Sequence, residues 1–276
     1  MKGNMMIFAS LYFLLCWMLP VDSMAIRFNF TFRDSSQSFP LNMVDDSVDD
    51  MYFGCNEAMM NIVKKRYFEK EKRVFANVWN SAEECADRNM AETEDKALTK
   101  DHMRAICVYT SDEIYREFNN AVRTEKRGYG SKFQFHSLHF LLTSAIQILN
   151  NNPYCHTTYR RTTVDLTGNV NQIFRFGFFS SSSFRPDLKD FGSATCFKIK
   201  TCLGAFLENY SIQFGEEEVL IPPYEMFKIT EKVHGKDGKI KGLDDCNVIY
   251  VLEGIGMKSN LNCKILHEHP AQLYYN

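Results

Sequence analysis

The 276-residue chain lacks a charge excess of either sign: 32 Lys and Arg meet 34 Asp and Glu, a formal balance of −2. A polybasic binder of nucleic acid or of anionic membrane is therefore excluded. Proline and glycine are few, 7 and 14 residues, which excludes collagen-like and Pro/Gly-rich disordered chains. The one conspicuous apolar run, Met5 to Leu19 (MMIFASLYFLLCWML), has about fifteen residues, short of the roughly 20 that a spanning helix needs. No C-x2-C pair is present, so zinc lacks its usual ligand spacing. The stretch GKDGKIKG lacks the G-x4-G-K-[ST] order of a phosphate loop and reads as a turn around Asp237-Gly238. No histidine pairs with a Ser or Cys nucleophile, so a hydrolase triad has no support. His136 and His139, three apart without a third ligand, read as packing residues.

What the chain does have is 45% hydrophobic residues, with 23 Phe and 13 Tyr, enough bulk for a sizeable core. Lys2, the apolar run, Pro20 and the small-residue exit Ser23-Met24-Ala25 fit a signal peptide cut after Ala25. HEHPAQLYYN at the other end carries no hydrophobic tail for a lipid anchor. The expectation is a product secreted through the endoplasmic reticulum, without a membrane anchor, its residues 26–276 forming one domain. Of nine cysteines, Cys16 leaves with the leader. Cys55, Cys85, Cys107, Cys155, Cys196, Cys202, Cys246 and Cys263 remain, an even set expected to form disulfides in an oxidising route. Spacing leaves open on the order of 100 pairings. Two glycosylation sequons, Asn29-Phe30-Thr31 and Asn209-Tyr210-Ser211, suit the same compartment.

From about 50 to 150 apolar residues recur every three or four positions, which predicts helices. Thr110 with Glu113 offers a capping box for the helix carrying Ile114, Phe118 and Val122, and Ser137 a cap for the uniformly apolar SLHFLLTSAIQIL, expected to be buried on most sides. From about 158 to 270 short β-type stretches take over: NQIFRFGFFS, TCFKIKTC, EEEVLIPP, YEMFKIT, CNVIYVLEGI and LNCKIL. The fold class is α+β, a mainly helical part packed on a mainly β part.

The chemistry-bearing segment is Glu216-Glu217-Glu218 running into VLIPP, read as a strand that the prolines end. Alternation then puts Glu216 and Glu218 on one face, roughly 6.5 Å apart. The alternative is a solvated edge strand whose like charges resist pairing. Upstream lie Tyr159-Arg160-Arg161 and a serine run, Ser180 to Ser183, closing a strand from Arg175 to Phe179.

In their order, DDMYFGC (49–55), RAICVYT (104–110), FNNAVR (118–123), SLHFLLTSA (137–145), TYR (158–160), RFGFFSSSS (175–183), TCLGA (201–205) and EEEVLIPPYEMF (216–227) resemble the vertebrate arginine-specific mono-ADP-ribosyltransferases, marked by an R-S-E-x-E pattern. The resemblance implies the ADP-ribosyltransferase fold and an enzyme that moves ADP-ribose from NAD, as substrate, to arginine-bearing acceptor proteins, with no metal and no nucleic acid. It makes Arg160 the arginine that grips the NAD phosphates, a task suited to a planar guanidinium. Ser181 braces the catalytic glutamate and the nicotinamide end, with Ser183 supporting the turn. Glu218 is the catalytic glutamate, and Glu216 selects and activates the acceptor. Tyr109, Phe178 and Ser211 line the NAD site; Phe178 stands where many relatives have glutamine, and Arg161 where glycine usually follows the arginine. Cys55 pairs with Cys263 and Cys155 with Cys202. Two alternatives stay open: an NAD glycohydrolase with water as acceptor, and a secreted binding module on the same scaffold.

The chemistry agrees with those roles. Cleaving the nicotinamide–ribose bond makes the sugar oxocarbenium-like, and a fixed carboxylate stabilises charge that exists mainly in the transition state. A guanidinium is a poor nucleophile until a second carboxylate takes a proton from it.

Overall fold

Helical periodicity in the first half becomes a run of short helices: α1 (Asn56–Ile62), α2 (Phe68–Glu71), α3 (Ala76–Ser81), α4 (Glu83–Glu92), α5 (Lys100–Thr110), α6 (Tyr115–Thr124) and α7 (His136–Leu149). A π-turn, Val63–Tyr67, joins α1 to α2. The computed structural model describes residues 38–111, 113–150, 154–207, 209–213 and 215–268. The leader, the Asn29 sequon and the C-terminal tail lie outside the described residues. Among the described residues no helix is long and apolar enough to cross a membrane.

Helix α7 is buried from His136 to Ile146, as its uniform apolarity requires. Both caps read from the sequence are replaced. Ser137 lies inside α7 rather than before it, and the carboxylate of Glu71 caps the helix instead, taking the Ser137 N–H at 2.8 Å and lying 2.6 Å from His136 Nδ1. A negative group at a helix N-terminus satisfies orphan donors and the dipole together. Thr110 belongs to the end of α5, where its hydroxyl donates back to the Ile106 carbonyl at 3.0 Å. With that group engaged, α6 starts without a side-chain cap.

The second half supplies β2 (His156–Thr162), β4 (Ile173–Arg175), β5 (Ser180–Ser183), β6 (Thr195–Thr201), β7 (Ala205–Phe206), β8 (Glu218–Ile221), β9 (Glu225–Val233) and β10 (Val248–Met257). They form one eight-stranded sheet in the order β4-β9-β10-β6-β2-β5-β8-β7. Pairing is antiparallel except between β10 and β6. A separate parallel pair joins β1 (Phe39–Pro40) to β3 (Leu166–Thr167).

Two strand readings are corrected. The stretch from Asn171 to Ser180 is not one strand: β4 stops at Arg175, and the serines form a strand of their own. The break falls at Gly177, whose φ of 72° is left-handed and where an added Cβ would meet Val44 at 2.5 Å. LNCKIL is not a strand either. Cys263 turns with φ 57° into the short helix α8 (Lys264–Glu268), held there by a hydrogen bond from its N–H to Asp50 Oδ1 (3.0 Å) and by a disulfide to Cys55. Asp237-Gly238 does turn between the antiparallel strands β9 and β10, Gly238 taking φ 64°.

One apolar core runs from α5, α6 and α7 onto the facing side of the sheet, through residues such as Phe118, Leu142, Phe179 and Phe197. A second, smaller cluster of Cys196, Val233, Leu243, Cys246 and Ile249 lies apart from it. Both pairs implied by the resemblance are formed, Cys55–Cys263 and Cys155–Cys202. The other four cysteines pair as Cys85–Cys107 and Cys196–Cys246.

Candidate active site

Three neighbouring strands bring the sequence-predicted residues together. Arg160 lies on β2, Ser181 on β5 and Glu218 at the start of β8, adjacent in the sheet. In the β5–β8 register Ser183 opposes Glu218 and Ser181 opposes Leu220. Partners in an antiparallel pair share a face, as do residues two apart, so Ser181, Ser183 and Glu218 look the same way. All three key side chains are out of water: Arg160 is 1% exposed, Ser181 and Glu218 0%.

The Arg160 Nη1 donates to the Ser181 carbonyl. Its Nε and Nη2 are buried beside Tyr115, which hydrogen-bonds to this guanidinium; a planar fork of five donors is the geometry that suits an anion. Tyr115, on α6, stands beside this pair. Burial raises its pKa, the Arg160 charge pulls it down and the Glu218 charge pushes it up. Tyr109, on α5, donates to the Phe179 carbonyl at 2.9 Å and lies 3.3 Å from Ser181 Oγ. Burial first, then Tyr115 and the Glu218 charge, hold its pKa well above the ordinary tyrosine value. Asn119 completes this wall, donating to Tyr109 Oη at 3.4 Å and accepting the Phe179 N–H at 3.1 Å. A guanidinium, a carboxylate and two tyrosines are thus buried near enough for each charge to act on the phenols, although of these four only Arg160 lines the neighbouring cavity.

The two acids are not alternate residues of one strand. Strand β8 begins at Glu218; Glu217 before it takes φ 49° and Gly215 φ 86°. Glu216 therefore sits in a turn leading into the strand, partly exposed while Glu218 is buried. Alternation fails because a left-handed residue between two others breaks the pleat on which the face argument rests. Ser183 holds this turn, its hydroxyl donating to the Glu216 carbonyl at 2.5 Å.

Phe178 lines a cavity with Arg160, Arg123, Phe176, Phe197 and Asn42. The Arg123 guanidinium lies 5.7 Å from its ring centroid, so this cation lines the cavity beside Arg160, with Arg175, paired to Asp49, as the third arginine of the lining. Ser211 is buried, but its hydroxyl serves its own segment by accepting the Gln213 N–H at 3.0 Å. No hydrogen bond joins it to Arg160, Ser181 or Glu218 among the described residues.

Arg161 leaves β2 away from Arg160, as strand alternation dictates. Its guanidinium meets both oxygens of Asp245 at 2.9 Å and also donates to the carbonyls of Pro186, Gly192 and Gly242. The Arg161 side chain thus ties these segments together and is not part of the cavity lining. His136 and His139 are buried packing residues: His139 Nδ1 lies 2.8 Å from Tyr52 Oη, and its Nε2 lies 2.9 Å from the Val48 carbonyl.

Sequence reasoning did not single out Arg123, Tyr115 or Asn119. All three lie on the amphipathic helix α6, where a periodicity reading sees only buried and exposed faces. The sole signal was their place in or beside FNNAVR.

A family model described as NAD:arginine ADP-ribosyltransferase matches residues 41–245. The erythroblast NAD(P)(+)–arginine ADP-ribosyltransferase of Gallus gallus is 32% identical over 240 residues, 83% of this chain and 76% of that protein. The GPI-linked NAD(P)(+)–arginine ADP-ribosyltransferase 1 of Homo sapiens is 32% identical over 261 residues, 86% of this chain and 77% of its own length. Among solved structures, a mutant of the eukaryotic mono-ADP-ribosyltransferase ART2.2 in complex with NADH superposes with a TM-score of 0.69 at 29% identity, covering 82% of this chain and 98% of that one. The α+β architecture is thus that of the ADP-ribosyltransferases. The chain belongs to the NAD:arginine ADP-ribosyltransferase family.

Proposed function

We propose that the protein transfers ADP-ribose from NAD to the guanidine of arginine side chains on extracellular or luminal proteins, releasing nicotinamide. The bond from ribose C1′ to nicotinamide breaks with its electron pair returning to the ring nitrogen, so the leaving group departs neutral. A new bond forms from C1′ to a guanidine nitrogen, which sheds a proton. Glu218 supplies the fixed negative charge beside the developing sugar cation, where burial strengthens it. Arg160, whose planar fork suits an anion, binds the phosphates, and Arg123 adds charge to the same cavity. Ser181, placed by Tyr109 and by its carbonyl bond from Arg160, orients Glu218 and the nicotinamide end. Glu216, partly exposed on its turn, meets the acceptor and takes its proton.

The observation that carries this reading is that Arg160, Ser181 and Glu218 lie buried on three neighbouring strands, with Arg160 donating to the Ser181 carbonyl and Tyr115 close enough to feel the charges of both Arg160 and Glu218. Secretion is part of the proposal; the human relative is GPI-linked by name. The test is to give the oxidised protein radiolabelled NAD with agmatine, a small guanidine. Labelled ADP-ribosyl-agmatine with released nicotinamide is expected. Free ADP-ribose alone would make the protein a glycohydrolase, and neither product would leave a binding module.

A further inference from the structure

Three consecutive carbonyls of the acidic turn are held by three consecutive residues of one neighbouring stretch. Arg185 Nη1 donates to the Gly215 carbonyl at 2.8 Å, Ser183 Oγ to that of Glu216 at 2.5 Å, and the Phe184 N–H to that of Glu217 at 3.1 Å. The Arg185 N–H in turn donates to Ser183 Oγ at 2.8 Å, fixing that hydroxyl. The turn needs such support, because Glu217 at φ 49° occupies a region that residues with a Cβ enter only under constraint.

The stretch supplying these donors is itself anchored. Arg161 Nε donates to the Pro186 carbonyl at 2.8 Å, and its Nη2 to the Gly242 carbonyl at 2.7 Å. A Cβ added at Gly242 would meet Pro186 at 2.7 Å, so these two segments lie in close contact. Asp187 holds the remaining edge of the Arg185 fork at 3.3 Å. A connected route therefore runs from Arg161, the chain neighbour of Arg160, through Pro186 and Arg185 to the turn that carries Glu216.

We propose that Arg185 is a positioning residue for the acceptor side of the site. Backed by Arg161, it fixes how the turn presents Glu216, and so sets how ADP-ribose divides between a guanidine and water. The inference rests on the arginine-transfer reading above. In transfer, the C1′–nicotinamide bond breaks toward the ring nitrogen, a C1′–N bond to the guanidine forms, and Glu216 takes the proton that nitrogen sheds. In hydrolysis a C1′–O bond forms and water sheds the proton. An incoming cation with a fixed donor geometry demands an aimed base, whereas water, small and abundant, adapts to a displaced one.

The experiment compares full-length wild type, Arg185→Ala and Arg185→Lys, each oxidised, with NAD and agmatine. Labelled agmatine and free ADP-ribose are measured together, and amide hydrogen exchange is followed at 216–218. The Arg185 side chain is 41% exposed, so its removal leaves no buried hole. Arg185→Ala is expected to lower the transfer-to-hydrolysis ratio about fivefold or more, through a raised KM for agmatine, with faster exchange at the turn. Arg185→Lys, which keeps one donor, is expected to restore most of both. A ratio in Arg185→Ala equal to that of a wild type that labels agmatine overturns the inference alone. A wild type that releases ADP-ribose and never labels agmatine overturns the arginine-transfer reading, and this inference with it.

Discussion

Arg161 grips Asp245 with both arms of its guanidinium, at 2.9 Å each, on the side of β2 away from the Arg160 pocket. One strand thereby carries two adjacent arginines with separate surroundings, one lining the cavity and one turned to the loops behind it. The loops depend on that anchor, since Arg161 is almost wholly buried and also satisfies three backbone carbonyls. Asp245→Asn leaves the buried guanidinium without its counter-charge, and is expected to destabilise the fold by about 1–3 kcal/mol. Urea denaturation checks this; an unchanged midpoint contradicts it.

Arg160→Lys keeps the charge and loses the planar fork. Because hydrogen bonds to charged groups contribute about 1.5–3 kcal/mol, the KM for NAD is expected to rise about tenfold or more. Steady-state kinetics at saturating agmatine measure it. An unaltered KM for NAD would remove Arg160 from phosphate binding.

Two buried carboxyls make stability depend on pH in an unusual direction. Burial pushes Glu225 up to about 7 from an ordinary 4.5, against hydrogen bonds from Thr201, Cys202 and Leu203. Burial likewise pushes Asp50 up to about 6 from 3.8, against Tyr129 and the Cys263 and Tyr52 N–H groups. Between the ordinary and the raised value the folded state holds a proton that the unfolded chain has released. The stabilisation is thus full below the ordinary value and is lost as pH rises to the raised one. Glu225→Gln cannot titrate and keeps a carbonyl acceptor. The Tm of wild type minus that of this variant is therefore expected to fall as pH rises from about 4.5 to about 7, then level off. A difference that grows over that range contradicts the assignment.

The Cys85–Cys107 disulfide joins α4 to α5 across a sequence separation of 22. Beside it Asn89 Nδ2 donates to the Tyr210 carbonyl at 2.7 Å, in the segment that leads toward the acidic turn. Replacing both cysteines by alanine is expected to lower stability by about 3 kcal/mol, and losing Cys55–Cys263, with its separation of 208, by more. Equal midpoints for the two double variants would contradict the loop-entropy account.

The sequence made the division into helical and β parts legible because apolar period changes from three or four to two near residue 158. It did not make the caps legible. Glu71 reaches α7 from 66 positions away in the chain, and no local pattern contains it. Arg160, Ser181 and Glu218 were readable as a set only through resemblance; their adjacency follows from strand order, which pairs residues far apart in sequence. The face shared by Glu216 and Glu218 was inferred from alternation, and one left-handed residue, Glu217, cancelled it. LNCKIL has strand-like composition, yet the Asp50 carboxylate and a disulfide turn Cys263 into a helix start. Tertiary contacts decided each of these cases.

The central claim is that the buried carboxylate of Glu218 stabilises the ribosyl cation. Its most direct test is nicotinamide release by Glu218→Gln, a nearly isosteric change, measured with agmatine and with water alone. The account predicts that both reactions fall by about 10²-fold or more, with the fold and the four disulfides intact. Nicotinamide release at the wild-type rate from folded Glu218→Gln protein would contradict it.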